Sequence, residues 1–472
     1  MTFLHHPWRC IGISLFLIAV VLFVSLPTAS AQKREEEEQQ QVNAPESQGV
    51  ETFFPHPDAR YWVSGQANFI FQANPPFDAA YNDPNSFLNG YQKATSRVVT
   101  LFTGLKLNDS LELLVDVEET GGQGLSQALG LAGFTNLDVV RNPTLSKAPY
   151  LARGMIHKVF GLSKDQVEVD RGPLSGFTRL PSRRIEVRLG KFSLADFFDL
   201  NTIATDSHFQ FMNWTIDNNG AWDYAADTRG YTVGAILAYE GPAWSFHFAE
   251  AFMPTVANGI DLQTNLRRGH SENYEFILHR AFLPDREGAI RLLAYNNSAN
   301  MGIYRVQNQK YLAGLTLTPD ITAHPLQVTG KYGFGVNLEQ MLNGWFGING
   351  RFGWNNGKTE SYAYTEVDQT IQLGAMGYGT RWKRRFDRAG IAFVSNAIKK
   401  DHQKYLALGG SGFLLGDGGL TYGRESIFES YYTAHMWKGM YLGPDIQHIN
   451  NPGYNQARGP VFVGGLRAHF EF

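Results

Sequence analysis

From Tyr61 onward, apolar and polar residues repeatedly alternate with a period of two. Leu111, Leu113, Val115 and Val117 are apolar, while Glu112, Asp116 and Glu118 between them are acidic. Successive side chains of a strand leave opposite faces, so such a segment predicts a strand with one apolar and one polar face. The same alternation marks Ile185–Lys191, Tyr231–Tyr239, Trp244–Phe248, Lys331–Glu339 and Phe346–Trp354. Further strands are expected near 61–71, 99–107, 290–295, 311–317, 370–378, 388–394, 427–436 and 440–449. The pattern is strictest at the end. Phe462, Gly464, Leu466, Ala468, Phe470 and Phe472 share one face; Val463, Gly465, Arg467, His469 and Glu471 share the other. This strand has the length that a tilted membrane-crossing strand needs, roughly 9–11 residues.

Connections between these strands come in two sizes. Asn108-Asp109-Ser110, Asn343-Gly344 and Asn356-Gly357 are short turn signals. The stretches 74–92, 119–147, 192–228, 253–272 and 403–424 are long and rich in Gly, Pro, Asn and Asp. Short turns on one rim and long loops on the other are the signature of an outer-membrane barrel. The fold expected is therefore all-β: a transmembrane antiparallel β-barrel. At roughly 25–28 residues per strand plus connection, the chain after its leader allows about sixteen strands, and a barrel of that size keeps an aqueous channel. A soluble sandwich or propeller is the competing architecture, but no repeat of about 40–50 residues supports a propeller.

The N-terminus fixes the compartment. His5, His6 and Arg9 precede an apolar run from Ile11 to Leu26, and Ala29-Ser30-Ala31 is a cleavage motif. We expect residues 1–31 to be a cleaved signal peptide, since the run is short of the ~20 residues that span a bilayer. Residues 32–59 form a polar, acidic segment with Glu35–Glu38 in succession, and 60–472 the barrel. The lone cysteine, Cys10, lies in the leader, so the mature chain has neither disulfide nor thiolate chemistry. No later apolar run reaches 18 residues. The 49 Gly, 33 Phe, 21 Tyr and 9 Trp suit a barrel with aromatic outer girdles. A net charge of −3 with no Lys/Arg block argues against nucleic acid as a partner.

Catalytic signatures are missing. There is no H-E-x-x-H, G-x-S-x-G, Walker loop or Cys/His cluster, so neither an enzyme nor a cofactor or metal is expected. Gly409-Gly410-Ser411-Gly412 fails as a nucleophile elbow because Phe413 stands where Gly is required. No spacing joins Ser411 to His402 or His435.

The chemically rich stretch is 190–231. Asp196, Asp199, Asp223, Asp227 and Arg229 alternate there with Phe197, Phe198, Trp214, Trp222 and Tyr224. Aromatic faces beside carboxylates, amides and guanidinium groups suit a sugar-contacting surface. They equally suit a packed loop whose acids form turns and whose aromatics make a small plug core.

Long blocks of this stretch resemble the carbohydrate-selective porin (OprB) family: Gly190-Lys191-Phe192 with Asp196-Phe197-Phe198-Asp199, Gln210-Phe211-Met212-Asn213-Trp214, and Gly220 through Tyr231. Lys331–Gln340, Gly416-Asp417-Gly418 through Glu429-Ser430-Tyr431-Tyr432, and Asn451–Asn455 with Arg458-Gly459-Pro460 agree with it. One departure stands out: Asp206 is followed by Ser207-His208, where the family often has Asp-Pro-Arg. That makes any role of the arginine absent or titratable here. The resemblance implies a sixteen-stranded barrel with at least one loop folded inward, and passive, sugar-preferring diffusion of small sugars into the periplasm. The alternative is a general or anion-preferring porin without sugar selectivity.

The pore-lining candidates are Arg183, Arg184, Arg188, Asp196, Asp199, Asp223, Asp227 and Arg229, with Trp214 and Trp222 as stacking surfaces. Arg188 has the best individual case, because Ile185, Val187 and Leu189 take the opposite face of its strand. A terminal Phe resembles the signal read by the barrel-assembly machinery, which assigns that role to Phe470 and Phe472. Arg467, His469 and Glu471 are then expected in the lumen near the exit. Sugars as permeating solutes, outer-membrane lipid and lipopolysaccharide, and the assembly machinery are the partners expected in the outer membrane of a Gram-negative-type bacterium.

Overall fold

A computed structural model describes residues 52–140 and 145–472. The leader and most of the acidic segment lie outside the described residues. The first strands are β1 (Tyr61–Asn74), β2 (Gln92–Asn108), β3 (Leu111–Gly122) and β4 (Tyr150–Gly161). A two-stranded hairpin, β5 (Gln166–Glu168) and β6 (Arg179–Pro181), stands apart from the main sheet. The wall resumes with β7 (Arg184–Phe192), β8 (Thr232–Glu240), β9 (Trp244–Ala251), β10 (His270–His279) and β11 (Gly288–Ala299). It continues through β12 (Thr329–Met341), β13 (Phe346–Asn355), β14 (Gln369–Tyr378) and β15 (Arg388–Ala397). It ends with β16 (Glu425–Trp437), β17 (Met440–Asn450) and β18 (Val461–Glu471).

Sixteen of these strands close into one antiparallel barrel, each paired to its chain neighbour, with β4 meeting β7 and β1 meeting β18. Closure leaves no edge strand and satisfies the backbone within the wall, as a membrane-crossing sheet requires. The closing strand has the two faces expected of it. Phe462 is 50% exposed on the outside, and Arg467 is 1% exposed on the inside. Phe472 completes the seam: its N–H donates to Gly65 O (2.8 Å) and its carbonyl accepts from Gly65 N (3.3 Å). No helix among the described residues is long and apolar enough to cross a membrane, which says nothing about crossing by strands.

Several expectations are corrected. Residues 311–317 form no strand. The helix Tyr304–Leu312 ends there, and Gly314 at φ +70° turns the chain, leaving Leu315 and Leu317 exposed without a ladder partner. Alternating leucines imitated a strand where no neighbour exists to pair with. Asn356-Gly357 opens a long loop, 356–368, instead of a tight turn. The connection 162–183, on the short-turn rim, is long and carries the β5–β6 hairpin. Strands β4 and β10 escaped the pattern. In β4 the cause is a bulge: Asp116 pairs with Arg153 but Val117 pairs with Leu151, so Ala152 is skipped and the alternation changes phase.

Candidate functional site: the inward loop and the charged strip

Loop 193–231 turns into the lumen, and its own apolar residues explain why. Phe198, Ile203, Phe211, Ile216 and Trp222 are buried; all but Ile203 belong to the large core cluster inside the barrel. The polar face of the wall then meets the loop's backbone. On β10, Glu275 accepts the Asp199 N–H (2.8 Å). On β12, Asn337 donates to Asp199 O (2.9 Å) and Glu339 accepts the Thr202 N–H (2.6 Å). Arg351 of β13 donates to Ile216 O (2.8 Å). Glu429 of β16 accepts from Met212 N (2.6 Å) and Asn213 N (3.2 Å), while Thr433 donates to Phe209 O (2.7 Å). Arg467 of β18 donates to Ser207 O (2.6 Å) and Gln210 O (2.9 Å). Arg467 is thus a loop anchor and does not stand free near the exit. Gly335 and Gly353 sit opposite each other on β12 and β13, where a Cβ would come within 2.3 and 2.0 Å of the Asn219 side chain. Only glycine allows that close approach.

Opposite this anchored half, β3, β4 and β7 carry a strip of ion pairs. Arg153 of β4 grips Asp196 of the loop through two bonds, Nε–Oδ2 at 2.7 Å and Nη2–Oδ1 at 2.8 Å. Its Nη1 reaches Asp116 of β3 at 3.3 Å. Glu118 of β3 accepts from the hydroxyls of Tyr150 (2.6 Å) and Tyr231 (3.0 Å). Lys191 lies 3.9 Å from Asp227. Further along the strip, Glu186 binds Arg184 (2.6 Å) and Arg188 (2.7 Å), and His157 bridges Glu112 (2.7 Å) and Glu186 (3.0 Å). Aromatic faces accompany the cations: Arg188 lies 4.8 Å from the Phe197 centroid, and Arg153 lies 5.6 Å from that of Tyr231.

The structure divides the sequence candidates. Arg184, Arg188, Asp196 and Asp227 belong to the strip. Asp196 and Lys191 keep 17% and 24% of their side chains exposed. Arg229 is half-buried; it covers the Tyr150 ring at 3.8 Å and donates to Ser146 O (3.2 Å). Asp227 accepts the N–H groups of Arg229 (2.8 Å) and Tyr231 (3.2 Å), and burial raises its carboxyl above the ordinary range. Arg183 is exposed on the turn before β7.

The remaining candidates are packed inside the plug. Trp222 is 0% exposed and donates to Asn273 Oδ1 (2.9 Å). Trp214 stacks on Tyr364 at 5.6 Å and donates to Asn136 O (2.7 Å). Asp199 is buried against Arg351 Nε (3.1 Å). Asp223 is buried against Lys331 Nζ (3.3 Å) and the Tyr362 and Ala363 N–H groups. None of these four presents a free face to a solute. Of the two readings of 190–231, the packed plug describes these four, while Asp196 stays partly exposed in its pair with Arg153. His208, at the family's arginine position, lies 3.6 Å from Asp138 and 3.9 Å from Asp206, and stacks on His469 at 5.5 Å.

Sequence reasoning missed Tyr150 and Arg153 because it missed β4. It passed over Asp116 and Glu118, although their even-numbered spacing on β3 already put both on the polar face.

The model of the carbohydrate-selective porin, OprB family, matches residues 85–472. The chain belongs to this family. Among solved structures, the barrel resembles Pseudomonas putida OprB at high pH, with a TM-score of 0.64 at 16% identity over 87% of this chain and 94% of that one. The outer membrane channel DcaP of Acinetobacter baumannii matches at a TM-score of 0.49, 10% identity, 90% of this chain and 100% of that one. None of the curated proteins matches the sequence. Family and barrel together make this an outer-membrane porin, a channel by family and fold.

Proposed function

We propose that this OprB-family porin admits small sugars by passive diffusion and prefers them to ions. The observation that carries this reading is the close pairing of opposite charges along the strip, above all the two-bonded Arg153–Asp196 pair. Paired charges attract neither ion sign strongly, yet they keep spare donors and acceptors for hydroxyl groups. The Tyr231 and Phe197 rings pack against Arg153 and Arg188 and help to hold these cations in place. The mechanism is non-covalent: a wet, charged constriction in which weak, repeated contacts let the solute enter and leave. Liposome swelling with sugars, amino acids and salts of equal size tests it. Faster swelling with sugars is expected; equal rates would leave a general porin.

In the same reading, residues 1–31 are removed on secretion, and Phe470 and Phe472 are recognised by the barrel-assembly machinery. Deleting Phe472 should slow membrane insertion and leave sugar preference unchanged. Normal insertion with altered preference would overturn that role.

A further inference from the structure

The outer wall at the long-loop rim carries a groove of about 480 Å³ that the channel does not use. Phe71 of β1, Lys93 and Thr95 of β2, Gly122 at the end of β3, and Gln123 and Lys147 beyond it line it. On β1 and β2 the odd-numbered residues are the exposed set and the even-numbered ones the buried set, so Phe71, Lys93 and Thr95 point away from the lumen. The end of β3 folds over β2 to form a lip. Gly122 adopts φ +81°, where a Cβ would stand 2.0 Å from Thr95 O, and that carbonyl accepts the Gln123 N–H at 3.0 Å. Only glycine makes this lip.

The groove is cationic and unbalanced. Among the described residues no carboxylate lines it. The nearby acid on the same face, Glu119, is engaged by Arg97 through two bonds of 2.7 and 3.0 Å. Among the described residues Lys93 and Lys147 have no ion-pair partner, and both are exposed. Toward the membrane, the groove opens onto an apolar wall of Phe71, Phe69, Val99, Leu101 and Leu466, all exposed. Phe71 lies between Thr95 and Leu466 in the ladder, so cationic rim and apolar wall are continuous.

We propose that this groove binds the phosphate-bearing headgroup of an anionic outer-leaflet lipid. Lys93 and Lys147 hold the phosphate, Thr95 and Gln123 offer hydrogen bonds to the sugar or linker beside it, and an acyl chain lies along Phe71, Phe69 and Leu466. Two ammonium groups over an aromatic step match a molecule with an anionic head and an apolar tail. A soluble anion would gain nothing from the apolar wall.

The test is binding of bis-phosphorylated lipid A to the full-length protein in detergent, read by native mass spectrometry. Fully dephosphorylated lipid A and inorganic phosphate are the comparison ligands, and K93Q/K147Q and K400Q the variants. Lys400 is an exposed lysine on the helix Lys400–Ala407, away from the groove. We expect K93Q/K147Q to weaken the phosphorylated lipid by about 30-fold, from roughly one surface-lysine increment per residue. K400Q should match the unmodified protein, the dephosphorylated lipid should be insensitive to either change, and free phosphate should not bind. Equal lipid binding by K93Q/K147Q and the unmodified protein would overturn the site. Binding of inorganic phosphate as strong as that of the lipid would overturn the lipid as occupant. Heat-modifiable migration of K93Q/K147Q, a readout of barrel folding, should be unchanged, so a lost lipid cannot be laid to misfolding. The assay reads no permeation, so its failure leaves the sugar preference standing.

Discussion

The two halves of the lumenal wall use the same residue types for opposite ends. From β10 to β18, carboxylates, amides and arginines face the backbone of loop 193–231: Glu429 takes two of its N–H groups, and Arg467 serves two of its carbonyls. On β3, β4 and β7 the same kinds of side chain face each other: Arg153 meets Asp116 and Asp196, and Arg188 meets Glu186. A period-two polar face therefore does not define a pore lining. What lies opposite decides, and a folded loop converts half of a hydrophilic lumen into scaffold. The anchored half fixes the loop, and the loop in turn delivers Asp196 to the strip.

Glu429→Ala attacks the anchored half and should have the largest effect. It leaves the N–H groups of Met212 and Asn213 buried without acceptors, at a cost of about 1–3 kcal/mol each. Loop 193–231 then loses its fixed position, and liposome swelling should extend to larger solutes with weaker discrimination among them. An unchanged size limit would show that the other anchors hold the loop alone.

Arg153→Met attacks the strip and should leave the size limit nearly intact. Asp116 and Asp196 lose their shared cation, adding one uncompensated negative charge beside the route. An unpaired charge at contact range is worth about 1–4 kcal/mol between water and a typical protein surface. Cation over anion permeability should rise about tenfold, seen as a shifted reversal potential in planar bilayers under a salt gradient. An unmoved reversal potential would take the strip off the permeation route. The two variants thus separate the halves, one by size and the other by charge sign.

How far the sequence reached follows from the same contrast. The barrel was legible because the outside of every strand faces one uniform solvent, so the odd or even face is read directly, as in Phe462 through Phe472. Residues 311–317 imitate a strand because Tyr311, Ala313, Leu315 and Leu317 alternate locally, whereas a strand exists only through its neighbour. In the candidate stretch and the strand before it, Arg188 and Asp196 lie in ion pairs of the strip, whereas Trp222 and Asp223 are packed inside the plug. Composition shows that aromatics and acids meet in 190–231, but burial depends on partners far along the chain, such as Asn273 and Lys331. Arg153 was hidden by one skipped residue: the bulge at Ala152 brings Tyr150 and Arg153 onto one face beside Glu118 and Asp116.

The outer loops offer the mildest test, because their titrating groups touch neither half of the wall directly. Glu360 accepts the Gly302 N–H at 2.7 Å, tying loop 356–368 to loop 300–328. Burial, with Glu366 adding to it, pushes its carboxyl up to about 8. His402 stacks on Tyr304 at 4.1 Å between Glu366 and Asp368, each 3.7 Å away. Burial disfavours its imidazolium, but the Asp368 and Glu366 carboxylates outweigh that and raise it above its ordinary value. Both folded groups hold a proton more tightly than their unfolded counterparts, so both contributions are complete at low pH and fade as pH rises. The Glu360 share is lost between the ordinary glutamate value of 4.5 and about 8; the His402 share is lost above 6.5. Amide exchange in residues 300–328 and 356–368, corrected for intrinsic rate, should therefore quicken from pH 5 to pH 9 while the barrel strands stay protected. Glu360→Gln should flatten the acidic part of that profile and leave the alkaline part. A profile that runs the other way, or that moves β3 and β4 with the loops, would mean that loops and charged strip open as one unit.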